Sequence, residues 1–197
     1  MIYPTHQLEG TRVKLIPICL SHAEGLLQAG QASEIWPYMP YAVNTQDQVN
    51  SFIHEALKEQ EQGHSMVFTI YDKQTESIVG STRYLDIVPQ NKGLEIGWTW
   101  LNPRVWRTNV NTECKYLLLC YAFEKLEMIR VQFKADSRNE RSLTAIARLG
   151  AQYEGTLRSH RILPDGYRRD SVYFSILDHE WANMKGKLKE INGGNGA

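Results

Sequence analysis

The stretch Leu94–Lys115, LEIGWTWLNPRVWRTNVNTECK, decides the fold. Leu94 to Leu101 is an apolar, aromatic run with the composition of a buried strand, and Asn102-Pro103 ends it, because proline has no N–H for a ladder. A short polar turn follows, and a helix opens near Asn111-Thr112. The first turn of a helix leaves backbone N–H groups without acceptors at its positive end. Strand, turn and helix start in that order make a ready site for a phosphate or pyrophosphate. An anionic, nucleotide-derived cofactor is the leading expectation.

Working outward, Arg12–Ile18 alternates polar and apolar residues as a first strand, with Pro17 marking an edge or an end. Ser21 is placed as the cap of a short helix to Gly30, and a second helix runs from Thr45 to Gln62, with Thr45 or Asp47 near its cap and Gly63 as its stop. Met66–Tyr71 and Ile78–Ile87 form an antiparallel hairpin. Beyond the central stretch, Asn111–Leu126 carries apolar residues at 117, 118, 121, 122 and 126, the spacing of one buried helix face. Ile129–Ala135 is a strand, Asn139–Leu149 a helix stopped by Gly150, and Ala151–Arg158 and Ser171–Leu177 are strands around the turn Pro164-Asp165-Gly166. The fold class is α/β: a mixed, mostly antiparallel sheet of seven strands with about four helices on both faces, and not a doubly wound sheet. One domain covers residues 1–191, and 192–197, NGGNGA, is too poor in apolar residues to pack and is expected to be disordered.

At 197 residues the chain buries a sizeable core, and its 42% hydrophobic content is ordinary for a globular domain. Lys+Arg and Asp+Glu both number 22, so no net field steers the chain toward nucleic acid or an anionic membrane, and neither is expected as a partner. The longest apolar runs, such as Tyr116–Ala122, are too short to span a bilayer, and the N-terminus lacks the pattern of a signal peptide. Cys19, Cys114 and Cys120 form no metal-ligand pattern, so no metal is expected and a reducing cytoplasm is the natural compartment. The sequence allows a homodimer.

The element order and five pieces in sequence (LEIGWTWLNP, VNTECKYLLLCYAFE, the helix Asn139–Ala151, YEGTLR and DGYRRDSVYFSIL) resemble the GNAT superfamily of acetyl-CoA-dependent N-acetyltransferases. The nearest resemblance is to the Rim-type group that acetylates ribosomal-protein N-termini. It covers Leu8 to about Trp181. It implies that the strand Glu95–Leu101 splays from Val131–Ala135, with pantetheine in the opening bonded to the backbone of Trp100 and Leu101. It also implies a pyrophosphate on the loop Arg104, Val105, Trp106, Arg107, Thr108, Asn109 and on the helix start Val110, Asn111, Thr112. The family pattern has glycines where this chain has Arg107 and Asn109. Glycine permits positive φ and close approach to phosphate. Asn109 tolerates a left-handed conformation, whereas the Arg107 guanidinium either lies against the phosphates or narrows the site.

The reaction implied is transfer of the acetyl group to a primary amine, of a small molecule or a protein N-terminus, by direct attack in a ternary complex. Glu95, five residues before Trp100 and so about 17 Å along a regular strand, is the candidate base through water; its alternative role is a charge partner for Arg83 or Lys92. The tyrosine that many relatives carry seven residues after the helix-opening asparagine is Ile146 here. Asn139-Glu140-Arg141-Ser142 matches the Rim-type Asn-x-x-Ser instead, which implies that Asn139 bonds the pantetheine arm and Ser142 sits near the sulfur as proton donor or thiol partner. Asn139 is equally a good N-cap. A carboxylate expected in the last hairpin is Arg161 in this chain. Trp36, Tyr38 and Tyr84 are candidates for the acceptor pocket, though packing is the commoner fate of aromatics. Cys114 and Cys120 read as core fillers. Arg158, Arg161, Arg168 and Arg169 make a basic hairpin, either a solvated surface or an attractor for an acidic acceptor or the adenosine phosphate. An acyl-CoA-binding module with weak catalysis is the alternative reading, and a ribosome- or nucleic-acid-binding protein is a third, disfavoured by the neutral charge.

Overall fold

The computed structural model describes residues 7–193. In chain order the elements are β1 (Leu8–Glu9), β2 (Val13–Pro17), α1 (Ala23–Ala29), α2 (Gln46–Glu61), β3 (Met66–Asp72), β4 (Ser77–Val88) and β5 (Gly93–Leu101). They continue as α3 (Val110–Glu124), β6 (Arg130–Asp136), α4 (Glu140–Arg148), β7 (Gln152–Ile162), β8 (Arg168–Leu177) and α5 (Asp178–Gly193). The strands form one sheet in the order β1-β2-β3-β4-β5-β6-β8-β7, antiparallel throughout except for the β5–β6 pair.

Two departures from the sequence reading concern element count. An eighth strand, β1, is a two-residue edge paired with Lys14 and Leu15 of β2. A fifth helix, α5, follows the last strand directly, and its Trp181, Met184 and Leu188 are buried in the main core. Their i, i+3, i+7 spacing is a helical stripe diluted by the lysines and glycine around it. Trp181 stacks on Phe123 of α3 at 5.4 Å between ring centroids, and its indole N–H donates to Glu124 Oε1 at 2.7 Å. Of the tail expected at 192–197, Asn192 and Gly193 end α5, and residues 194–197 lie outside the described chain. Ser21 caps nothing: its hydroxyl meets Cys19 Sγ at 3.1 Å and α1 starts from His22 without a side-chain cap. Thr45 does cap α2, accepting from Gln48 N while Gln48 Oε1 accepts from Thr45 N.

Helices cover both faces of the sheet. On one, α3, α4 and α5 bury the larger core around Leu118, Leu119, Phe133 and Ile176. On the other, α1 and α2 bury a second core that includes Ile53, Val67 and Trp100. Glu113 ties α3 to the β1–β2 turn, its carboxylate accepting the backbone N–H groups of Thr11, Arg12 and Val13.

The feature that positions the site is a local failure of pairing. β5 and β6 share a ladder only over Gly93–Glu95 and Arg130–Gln132. Past Glu95, β5 stays with β4 to Leu101 while β6 stays with β8 to Asp136. Between the partners Ser81↔Trp100 and Arg83↔Gly97, β5 carries one residue more than β4, and Trp98 absorbs it at φ +48°. Such a bulge bends its strand and leaves ladder groups unpaired. The splay is therefore built by the chain itself.

Candidate active site

The diverging strands open into a cavity of about 700 Å³. Its walls come from β5 and β6, from the loop after β5 and the start of α3, from α4 along its length, from residues 35 and 38–40 beside α2, and from the β7–β8 hairpin. Because α3 and α4 lie on one face of the sheet and the 38–40 loop on the other, the cavity passes through the sheet at the splay.

At its outer end the loop from Asn102 to Asn109 is held by its own side chains. Asn102 Oδ1 accepts from Arg104 N at 3.1 Å and its amide donates to Ala29 O, while the Trp106 indole donates to Leu101 O at 2.8 Å. Thr108 Oγ1 donates to Val105 O at 2.7 Å and accepts from Val110 N. Arg107 sits at φ +60°, the left-handed region natural to glycine, and its exposed side chain borders the cavity. The backbone thus keeps a glycine-like shape without glycine, at a strain of about 1 kcal/mol. The left-handed residue is Arg107 alone: Asn109 is right-handed at φ −71°. Arg107, Thr108, Asn111 and Thr112 all border the cavity, and the first-turn amides of Asn111 and Thr112 have no intrahelical acceptor. Three residues of the expected phosphate set, Arg104, Asn109 and Val110, do not border the cavity. Arg104 turns back to Ser77 Oγ at 2.7 Å and Ile78 O, and the Val110 side chain is fully buried in the core.

Asn139 and Ser142 both reach the cavity. Asn139 is also the N-cap of α4, its Oδ1 accepting from Ser142 N at 3.0 Å, so capping and cavity lining coincide. Glu95 is 1% exposed and borders the cavity on the opposite side of the splay. Its Oε2 accepts from Lys134 Nζ at 3.0 Å and Gln132 Nε2 at 2.9 Å, both on β6. The partner of Glu95 is therefore neither Arg83 nor Lys92. Arg83 bonds Glu59 at 3.1 Å and lies over the Trp98 ring, and Lys92 faces Glu127 at 3.7 Å.

The aromatic candidates divide. Tyr38 borders the cavity mouth, where Arg138 lies between its ring and that of Tyr167. Trp36 donates to Gly30 O and packs on Trp100 at 5.2 Å, so it supports the wall without lining it. Tyr84 is 1% exposed, wedged against Phe68 with its hydroxyl donating to Leu118 O at 2.6 Å; it is a core residue, because β4 turns it toward α3. Cys114 is fully buried, its thiol pushed up to about 12 by burial, which makes it an inert filler.

Two site residues escape a reading of sequence. Lys115 of α3 is 6% exposed and borders the cavity, its ammonium donating to Thr99 Oγ1, which is itself bonded to Thr82 Oγ1. No carboxylate pairs with it among the described residues, and burial brings it down to about 8. The other is Lys134, the partner of Glu95, which borders the cavity too. Their signal is charge at inward positions of otherwise apolar strands and helices. Of the basic hairpin read in the sequence, Arg161 and Arg169 also border the cavity.

The chain belongs to the acetyltransferase (GNAT) domain family, whose model matches residues 12–152. It is an acyltransferase by that membership. A solved structure from T. thermophilus, provisionally titled an acetyltransferase, is 35% identical, covers 97% of this chain and 99% of its own, and superposes with a TM-score of 0.87. YdaF of Bacillus subtilis (strain 168), provisionally named a ribosomal N-acetyltransferase, is 32% identical over 109 residues, 55% of this chain and 58% of that one. The solved structure titled RimL, ribosomal L7/L12 alpha-N-protein acetyltransferase in complex with coenzyme A, shares the fold at a TM-score of 0.78, with 18% identity over 88% of this chain and 99% of that one.

Proposed function

We propose that the protein transfers the acetyl group of acetyl-CoA to a primary amine, of a small molecule or a protein N-terminus, by direct attack in a ternary complex. The observation that carries this reading is the through-sheet cavity at the β5–β6 splay, with a glycine-shaped loop and a helix start at its outer end. The residues fit the co-substrate. The Asn111 and Thr112 amides, with Arg107 beside them, suit a pyrophosphate. The unpaired edge of β5 at the bulge suits an amide-bearing arm, and Asn139 reaches the same space. The thioester supplies an activated acetyl group; everything else falls to the chain. Ladder N–H groups freed near Trp98–Trp100 would face the carbonyl oxygen as it gains charge. Ser142, at the start of α4, would donate a hydrogen bond to the departing sulfur and stabilise it as a thiolate. Glu95 would take the amine's proton through water, its charge held in place by Lys134 and Gln132.

The names of YdaF and RimL support a protein α-amine as acceptor, and the free thiols and lack of a membrane-crossing helix among the described residues fit a cytoplasmic setting. One observation favours a second reading, an acyl-CoA-binding module with weak catalysis: Glu95 Oε2 is already engaged by Lys134 Nζ and Gln132 Nε2. Titration with acetyl-CoA, followed by thiol release across an amine panel, tests both. Binding with release that falls at least 100-fold in Glu95→Gln supports the transferase. Binding with no release supports the module, and no binding refutes both.

A further inference from the structure

The β7–β8 hairpin holds two arginines in direct opposition. Arg161 and Arg169 are cross-strand partners, and like charges placed so repel. Both border the cavity. Arg169 is 7% exposed, and its Nε is buried without a hydrogen-bond partner. Neither guanidinium has an ion pair or side-chain hydrogen bond among the described residues.

The nearby carboxylates are already committed. Glu95 is taken by Lys134 and Gln132. Asp136 acts on Arg169 only through space, and its own oxygens accept two bonds from the Arg138 guanidinium at 2.8 and 3.0 Å. Asp170 Oδ1 accepts from Ser159 N. The Tyr173 phenol and His160, which bonds Ser171, also lie near the pair. A buried, unpaired guanidinium is costly unless something anionic arrives. Seven basic side chains against three acidic border the cavity, in a chain whose overall charge is zero.

Position separates this pair from the phosphate end. Arg107, Asn111 and Thr112 lie where β5 meets α3. Arg169 shares its strand face with Ser171 and Tyr173, and the Lys134 ammonium lies over the Tyr173 ring, so the pair belongs with Glu95 on the acceptor side. A planar fork of donors matches a carboxylate in both geometry and charge.

We infer that Arg161 and Arg169 bind a carboxylate of the amine acceptor, so that the preferred substrate is a primary amine carrying an acidic group. This rests on the transferase reading. The carboxylate comes either from the C-terminal end of a small amino acid or dipeptide, or from an acidic side chain behind a peptide N-terminus.

Matched acceptors distinguish these sources: glycylglycine against glycylglycinamide, and Ser-Glu-Ala-amide against Ser-Gln-Ala-amide. The acid member of one pair should exceed its neutral partner at least 10-fold in kcat/KM, mostly through KM. That ratio should fall toward one in Arg169→Gln, and in Arg161→Gln, whose exposed position makes it safe for folding. The Kd for coenzyme A should not change in either variant. Equal rates within both pairs in the wild type, or a preference that survives both substitutions, overturns the inference. A matching loss of coenzyme A affinity would assign the arginines to a phosphate and overturn it as well. If no amine is turned over, N-acetylglycylglycine and N-acetyl-Ser-Glu-Ala-amide still decide: one of them should raise the Tm of the wild type and not of Arg169→Gln, and no shift in the wild type with either overturns the inference independently of catalysis.

Discussion

Replacing Lys115 with methionine should make the protein more stable and the site worse. The Lys115 side chain is 6% exposed, donates to the Thr99 hydroxyl, and is brought by burial from its ordinary 10.5 to about 8. That depression corresponds to about 3 kcal/mol of penalty on the charged form. The sign follows from proton counting. Between the two values the unfolded chain holds a proton that the folded chain has released, so the penalty is fully present below pH 8 and is relieved as pH rises toward 10.5. Methionine has similar length and no charge, and Thr99 keeps Thr82 as a partner. Subtracting about 1 kcal/mol for the lost hydrogen bond, Lys115→Met should gain about 2 kcal/mol at pH 7. Urea denaturation of both proteins without ligand reads this difference, which should shrink steadily between pH 8 and 10.5. The same substitution should weaken acetyl-CoA binding, because a cation facing the cavity is lost. A destabilised variant at pH 7, or a gap independent of pH, would refute the argument that Lys115 is held at the expense of stability for its place in the site.

Other outcomes stem from the same geometry. Arg107→Glu should weaken coenzyme A binding at least 10-fold by calorimetry, since the exposed side chain borders the proposed phosphate end; an unchanged Kd would show that the guanidinium takes no part. Ser142→Ala should lower kcat with little effect on coenzyme A affinity, and full turnover would remove Ser142 from the reaction. Tyr84→Phe should cost about 1 kcal/mol of stability, the worth of the hydrogen bond to Leu118 O, and leave the KM for the amine unaltered. A raised KM would contradict its assignment to the core.

Most elements were legible because their causes are local. Asn102-Pro103 stops β5, Thr45 and Gln48 start α2, Asn139 starts α4, and Asp165-Gly166 turns the last hairpin, each through groups a few residues apart. The helix α5 is not legible in the sequence because its three buried residues, Trp181, Met184 and Leu188, are spread through a polar segment. Their burial depends on Phe123 and the rest of the core rather than on their neighbours. In the site, Asn139, Ser142, Arg107 and Tyr38 reach the cavity as their motifs suggested. Arg104, Asn109, Val110, Trp36 and Tyr84 do not, since spacing along a chain says which residues are near in sequence and not which way each side chain leaves the backbone. One residue of bulge at Trp98 is enough to re-aim the rest of β5.

Alternation, caps and breakers, all short-range, already specified a mixed sheet, its crossover helices and a strand–turn–helix suited to phosphate. Folding in three dimensions decided the rest. It paired Glu95 with Lys134 from a strand 39 residues away, buried Lys115 beside two threonines, and set Arg161 against Arg169 with no acid between them. Charge pairing and burial depend on distances through space, and those exist only once the strands have found their register.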